Sequence, residues 1–130
     1  MRTSGTAWLQ RIVVALCVVT SGLVHLYLWQ QSMHRVAIVG PAFLVNGVAG
    51  IVIGVLLLTW RHPIPLLLAI GFGLATLGAF VVATSSYGLF GVHSRWQGWA
   101  EWTSAISEAL AIVVGLWGLA VERRIARTGW

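Results

Sequence analysis

"VAIVGPAFLVNGVAGIVIGVLLLTW", Val36 to Trp60, runs for 25 residues without one charged side chain. Asn46 and Thr59 are its only polar side chains, and Arg35 and Arg61 bracket it. At ~1.5 Å of rise per residue, a helix of this length crosses the ~30 Å hydrocarbon core of a bilayer. No water is available there to bond the backbone, so the run must satisfy its own N–H and C=O groups as a helix. Three further apolar runs flank it, at about residues 12–30, 63–90 and 98–121. The links between runs are short, centred on "QSMHR", "RHP" and "GVHSRWQ". Short links make consecutive helices antiparallel neighbours. The expectation is an all-α integral membrane protein: one antiparallel four-helix transmembrane bundle over residues 1–130.

Composition points the same way. Of the 130 residues, 58% are hydrophobic and 8% charged, against about 25% charged in an ordinary soluble domain. So short a chain has too little interior to hide that much apolar surface from water. The net charge of +5 comes from eight arginines spread between apolar runs, which excludes the continuous basic face that nucleic-acid binding needs. A lone cysteine, Cys17, excludes an internal disulfide and a CxxC redox pair. The first run is long enough to span and is followed by no small-x-small cleavage site, so it reads as a retained span rather than a signal peptide.

Arg2, Arg11, Arg61, Arg123, Arg124 and Arg127 fall on one side of this topology, and Arg35 and Arg95 on the other. The positive-inside rule then puts both termini in the cytoplasm of a plasma-membrane protein. Trp29, Trp96, Trp99 and Trp102 mark the outer interface, and Trp8, Trp60 and Trp117 the inner one. Pro63 and Pro65 suit the first turn of the third helix, whereas Pro41 predicts a kink or a short re-entrant start in the second.

In lipid, helices associate through close packing of small residues and through polar contacts. Candidate inward stripes are Cys17, Ser21 and His25; Asn46, Gly47, Gly50 and Gly54; Gly71, Ala75, Ala79 and Ala83, ending in Tyr87; and Glu101, Ser104, Glu108 and Gly115. These stripes collect polar groups in the outer half. His25 lies ~7 Å below the outer boundary, and Asn46 and Glu108 each ~15 Å below it. Ionisable groups at such depth face the bundle or a wet cavity and pair with something. Matching depths predict Asn46 as the partner of Glu108, and Glu101 and Tyr87 as neighbours of His25. The cluster His25, Asn46, Tyr87, Glu101 and Glu108 is either interhelical glue or a ligand or proton site. His25, His34, His93 and Glu101, all near the outer face, form a further, weaker candidate for a metal site. No cofactor is required by the sequence.

The phrases "SGLVHLYLW", "VGPAFLVNGVAGIV", "YGLFGVHSRW" and "SAISEALAIVVGLW" together resemble a group of uncharacterised small four-span membrane proteins widespread in actinobacteria. The resemblance covers nearly the whole chain, and His25, Asn46 and Glu108 match residues that recur in that group. The chain departs from it after "GLFG", where the group often carries an acidic residue and this chain has "VHSRW". The resemblance implies a fold and a membrane address, and no reaction.

Three functions fit: a structural or accessory membrane component bound to a membrane-protein partner, a second copy or lipid; an outward-facing site for a quinone, metal ion or proton; and a small transporter. Small multidrug transporters have this length and four spans but carry their working glutamate in the first span, whereas the intramembrane acids here are in the fourth. No Ser–His–acid spacing, phosphate loop or nucleophile motif supports an enzyme.

Overall fold

Four helices carry the chain: α1 (Trp8–Gln31), α2 (Val39–Thr59), α3 (Pro63–Thr84) and α4 (Trp99–Thr128), with a 3-10 turn at Met33–Arg35 between the first two. The computed structural model describes residues 6–95 and 98–128. Arg2 and Trp96, assigned above to the inner charge and the outer interface, lie outside the described residues. All four helices are long and apolar enough to cross a bilayer. Only 28–39% of each span is buried against protein, so most of every helix is left for lipid, as the exposed Leu16, Leu23, Val45, Val52, Leu74 and Val113 illustrate.

Local chemistry sets the helix ends. His62 caps α3, its ring accepting a hydrogen bond from the Ile64 N–H at 3.2 Å. Pro63 and Pro65 follow in the first turn, where a missing N–H leaves no intrahelical bond unmade. Pro41 is only the third residue of α2, so its ring also falls where no N–H is needed. The expected irregularity precedes the helix instead, as the 3-10 turn and Ile38 at φ 67°.

The third run was expected to continue to residue 90, but α3 stops at Thr84. Thr84 Oγ1 donates to Val81 O and Ser85 Oγ to Val82 O, a local bonding that competes with helix propagation. Gly88, Phe90 and Gly91 then all take positive φ. They build a tight turn closed by reciprocal Leu89–Val92 backbone bonds of 2.8 and 2.9 Å. Conversely, α4 continues past residue 121 to Thr128. Hydropathy falls where the helix leaves the apolar slab, yet Arg123, Arg124 and Arg127 suit the negative end of the helix dipole.

The registers of the seams show the antiparallel order. Along α1 and α2, Gly22 meets Gly47 and Gly50, Val18 meets Gly50, and Val19 meets Gly54. Along α1 and α4, Gln10 meets Gly118 and Ser21 meets Glu108. Along α3 and α4, Ile70 meets Gly115 and Gly73 meets Glu108 and Ile112. The α1–α2 seam is the most extensive, followed by α1–α4 and α3–α4. The α2–α3 seam is much slighter, and among the described residues no backbone Cα of α2 comes within 8 Å of one of α4. A dry core of Val14, Val18, Leu57, Leu66, Ala69, Phe72 and Ala111 fills the half nearer the termini.

The expected small-residue stripe is correct on α2, where Gly47, Gly50 and Gly54 are all buried. On α3 it holds only toward the helix end: Ala83 is buried and Ala79 half-buried, whereas Gly71 and Ala75 are exposed and the rest of the buried face carries Leu66, Ala69, Ile70, Phe72, Gly73 and Thr76. Large side chains fill that face because α3 meets α4 through side-chain packing, with Gly73 the one close backbone approach.

Candidate functional site

Two buried polar clasps tie the helices, one in each half of the bundle. The clasp nearer the termini is built on Arg11, which is fully buried on α1. Its Nε donates to Glu122 Oε2 at 2.7 Å and its Nη2 to Glu122 Oε1 at 3.0 Å. Nη1 donates to Leu57 O and Trp60 O at 3.1 and 2.9 Å, and Nη2 also to His62 O at 2.5 Å. These bonds use all of the guanidinium's N–H donors. They supply partners for carbonyls that the end of α2 leaves open. The Ala7 N–H adds a bond to Glu122 Oε2 at 3.0 Å. One side chain therefore joins α1, α4, the end of α2 and the link into α3.

Sequence reading missed this clasp. Arg11 counts there as a loop charge, whereas the structure pairs it inside the bundle. The available signal was positional: Arg11 and Glu122 sit at the matching ends of two antiparallel runs, and Glu122 is one of only three acids in the chain.

The second clasp is built on Glu108, 1% exposed on α4. Its Oε2 accepts the Ser21 hydroxyl of α1 at 2.7 Å and also the hydroxyl of Ser104, one turn earlier on α4. The two serine oxygens are 3.4 Å apart. Replacing Ser21 by Ala is expected to lower stability in detergent by about 1 kcal/mol, since one hydroxyl is lost. Glu108→Leu, which strands both hydroxyls, is expected to cost about 1–3 kcal/mol. Thermal unfolding followed by circular dichroism checks both values.

Asn46 is not the partner of Glu108. Its Nδ2 donates to Thr76 Oγ1 of α3 at 2.5 Å. α2 and α4 lie across the bundle from each other, so Asn46 and Glu108 do not meet. His25 bonds the Ser21 carbonyl through Nδ1 at 2.7 Å and packs its ring 5.0 Å from that of Phe43. Glu101 borders a cavity with His25. Tyr87 does not join them: at 91% exposed it sits on the turn after α3. The metal candidates do not converge either. His34 is held on Trp29 O at 2.8 Å, and the His93 ring packs against Gly88. Among the described residues no group of three His, Cys, Asp or Glu is placed to hold a metal ion.

Two cavities occupy the half away from the termini. The first, of about 220 Å³, lies between α2 and α3 and includes Asn46 and Thr76 in its walls. The second, of about 230 Å³, reaches toward α4 and includes Glu101, Ser104 and Glu108. His25, Phe43, Thr76, Phe80 and Ser94 border both. Four of the five expected cluster residues, His25, Asn46, Glu101 and Glu108, thus border a divided cavity instead of forming one bonded cluster. Comparison of the chain with protein-family models, with curated proteins and with solved structures gives no match to any of them.

Proposed function

We propose that this small four-span protein is an accessory component of the plasma membrane, a scaffold that serves a larger membrane assembly or its lipid surroundings. One observation carries this reading: the buried ionisable side chains Arg11, Glu108 and Glu122 each bond across to a neighbouring helix. The Arg11 donors are all engaged, Glu122 accepts through both oxygens, and Glu108 is clasped by two hydroxyls. A transporter of ions or cations needs a carboxylate that exchanges partners with its cargo, and this arrangement gives that reading less support.

Native purification into nanodiscs, with mass spectrometry of what co-purifies, tests the proposal. A membrane protein retained in fixed stoichiometry, or a specific lipid, is the expected result. A protein that purifies alone and supports proton-coupled flux in liposomes, lost in Glu108→Gln, overturns it.

The proposed orientation has both termini in the cytoplasm. Arg61, Arg123, Arg124 and Arg127 are exposed at the end of the bundle that carries the termini, and Arg35 and Arg95 at the other. Removing the neutralised Arg11 from the tally keeps the bias in the same direction. In a Cys17→Ser background, Ser86→Cys is expected to react with a membrane-impermeant maleimide in intact cells. Ala126→Cys is expected to react only after permeabilisation; the reverse pattern inverts the topology.

A further inference from the structure

The end of the bundle that carries the termini holds an uneven balance of charge. Arg61, Arg123, Arg124 and Arg127 are all exposed there. The chain has three acidic side chains to set against them. Glu101 and Glu108 border a cavity in the opposite half, and Glu122 is buried with both oxygens on Arg11. Among the described residues, no acidic side chain is left exposed at this end to offset the arginines.

The Arg11 clasp gathers these charges. It holds the carbonyls of Trp60 and His62, which flank Arg61, and the carboxylate of Glu122, which precedes Arg123. The link between α2 and α3 is thereby fixed beside the last turns of α4, and both carry arginine. Arg127 follows Arg123 by about one helical turn, so the two share a face. Neighbouring tryptophans set the depth. Trp60 is 43% exposed, with the His62 ring stacked on it at 5.1 Å, and Trp8 of α1 and Trp117 of α4 are exposed as well. Tryptophan at the end of a span sits at headgroup level. The arginines therefore emerge among lipid phosphates.

We propose that this end of the bundle selectively binds anionic phospholipids, with the guanidinium groups of Arg61, Arg123 and Arg127 bonding the headgroup phosphate. A guanidinium presents a planar fork of donors that matches phosphate oxygens. A zwitterionic lipid offers the same phosphate but adds an ammonium, which this surface has no acid to pair. The opposite end is the natural contrast: it exposes Arg35 and Arg95, and Glu101 lies in the same half. Near an anionic membrane surface each arginine strengthens association roughly fivefold. The inference names a lipid class beyond the accessory role and does not depend on that role.

The test uses the full chain in liposomes of equimolar phosphatidylglycerol and phosphatidylcholine, with native mass spectrometry counting the lipids retained after mild extraction. The unaltered protein is expected to retain phosphatidylglycerol about tenfold over phosphatidylcholine. Raised salt is expected to shrink that preference, because ions screen exposed charges. Combining Arg61→Gln, Arg123→Gln and Arg127→Gln is expected to bring the two lipids close to equal. Combining Arg35→Gln and Arg95→Gln is expected to leave the preference in place. Equal retention by the unaltered protein overturns the proposal, as does a preference that survives the triple substitution or falls as far with the Arg35 and Arg95 changes. Displacement of the lipid by glycerol phosphate at matched concentration would reveal a site for free phosphate instead, and overturns it too. Because the comparison of lipids on the unaltered protein needs no substitution, its outcome stands even if a variant fails to fold.

Discussion

Arg11→Met is expected to destabilise the protein by about 3–5 kcal/mol, the cost of removing one partner of a buried ion pair. The loss has two parts. Glu122 is left nearly buried, at 9% exposed, with the Ala7 N–H still bonded to it. The carbonyls of Leu57, Trp60 and His62 lose a shared donor at the point where α2 ends. Arg11→Lys should recover only part of the loss. An ammonium has three donors on a point charge, whereas the planar guanidinium meets Glu122 through two nitrogens and reaches three carbonyls as well. Unfolding in mixed micelles, titrated with a denaturing detergent, measures both variants. A loss under 1 kcal/mol for Arg11→Met would show that water or lipid headgroups replace the clasp.

The second large effect concerns glycines that look alike in the sequence. A Cβ at Gly50 would stand 2.5 Å from Val18 O, 3.1 Å from Gly22 Cα and 3.2 Å from Phe72 Cζ. The first two are backbone atoms, so α1 and α2 must separate to admit even a methyl group. Gly50→Ala is expected to cost about 1–3 kcal/mol and Gly50→Leu more, since overpacking forces backbone shifts. Gly71→Ala is the matched control: nothing lies within 4 Å of its Cβ position. Alanine also has the better helix propensity, so no loss of stability is expected there. Thermal unfolding of the three variants side by side decides the matter, and equal losses at Gly50 and Gly71 would remove the close α1–α2 approach from the account.

The same contrast explains how far the sequence could be read. Span number and antiparallel order follow from apolar length and short links, because a bilayer leaves the backbone little else to do. Depth along each helix is less legible than the fixed rise suggests: a third run counted to residue 90 puts Thr76 in the inner half, yet α3 ends at Thr84 and Thr76 bonds Asn46. Rotation about each helix axis is not legible. A helix carries small residues on several faces, so Gly71 and Gly73 look equally suitable, and only the fit against Ile112 and the Glu108 carbonyl selects Gly73. For that reason Asn46 faces Thr76 and Glu108 faces Ser21. Helix ends escape for another reason. Hydropathy reports the apolar slab, whereas α3 ends where serine and threonine hydroxyls take its last carbonyls, and α4 runs on into its arginines. Arg11 was hidden by a rule of thumb: near a span end, an arginine counts toward orientation unless an acid sits at the same level on a neighbouring helix.

The account rests on buried charge used to join helices, and a double-mutant cycle on Arg11 and Glu122 tests it most directly. Arg11→Met and Glu122→Leu are each expected to be strongly destabilising alone. Combined, they remove both charges from the 2.7 Å contact and are expected to cost less than either single change, a favourable coupling well above 1 kcal/mol. Losses that simply add in the double variant would mean that the two side chains do not act as a pair, and would contradict the central claim.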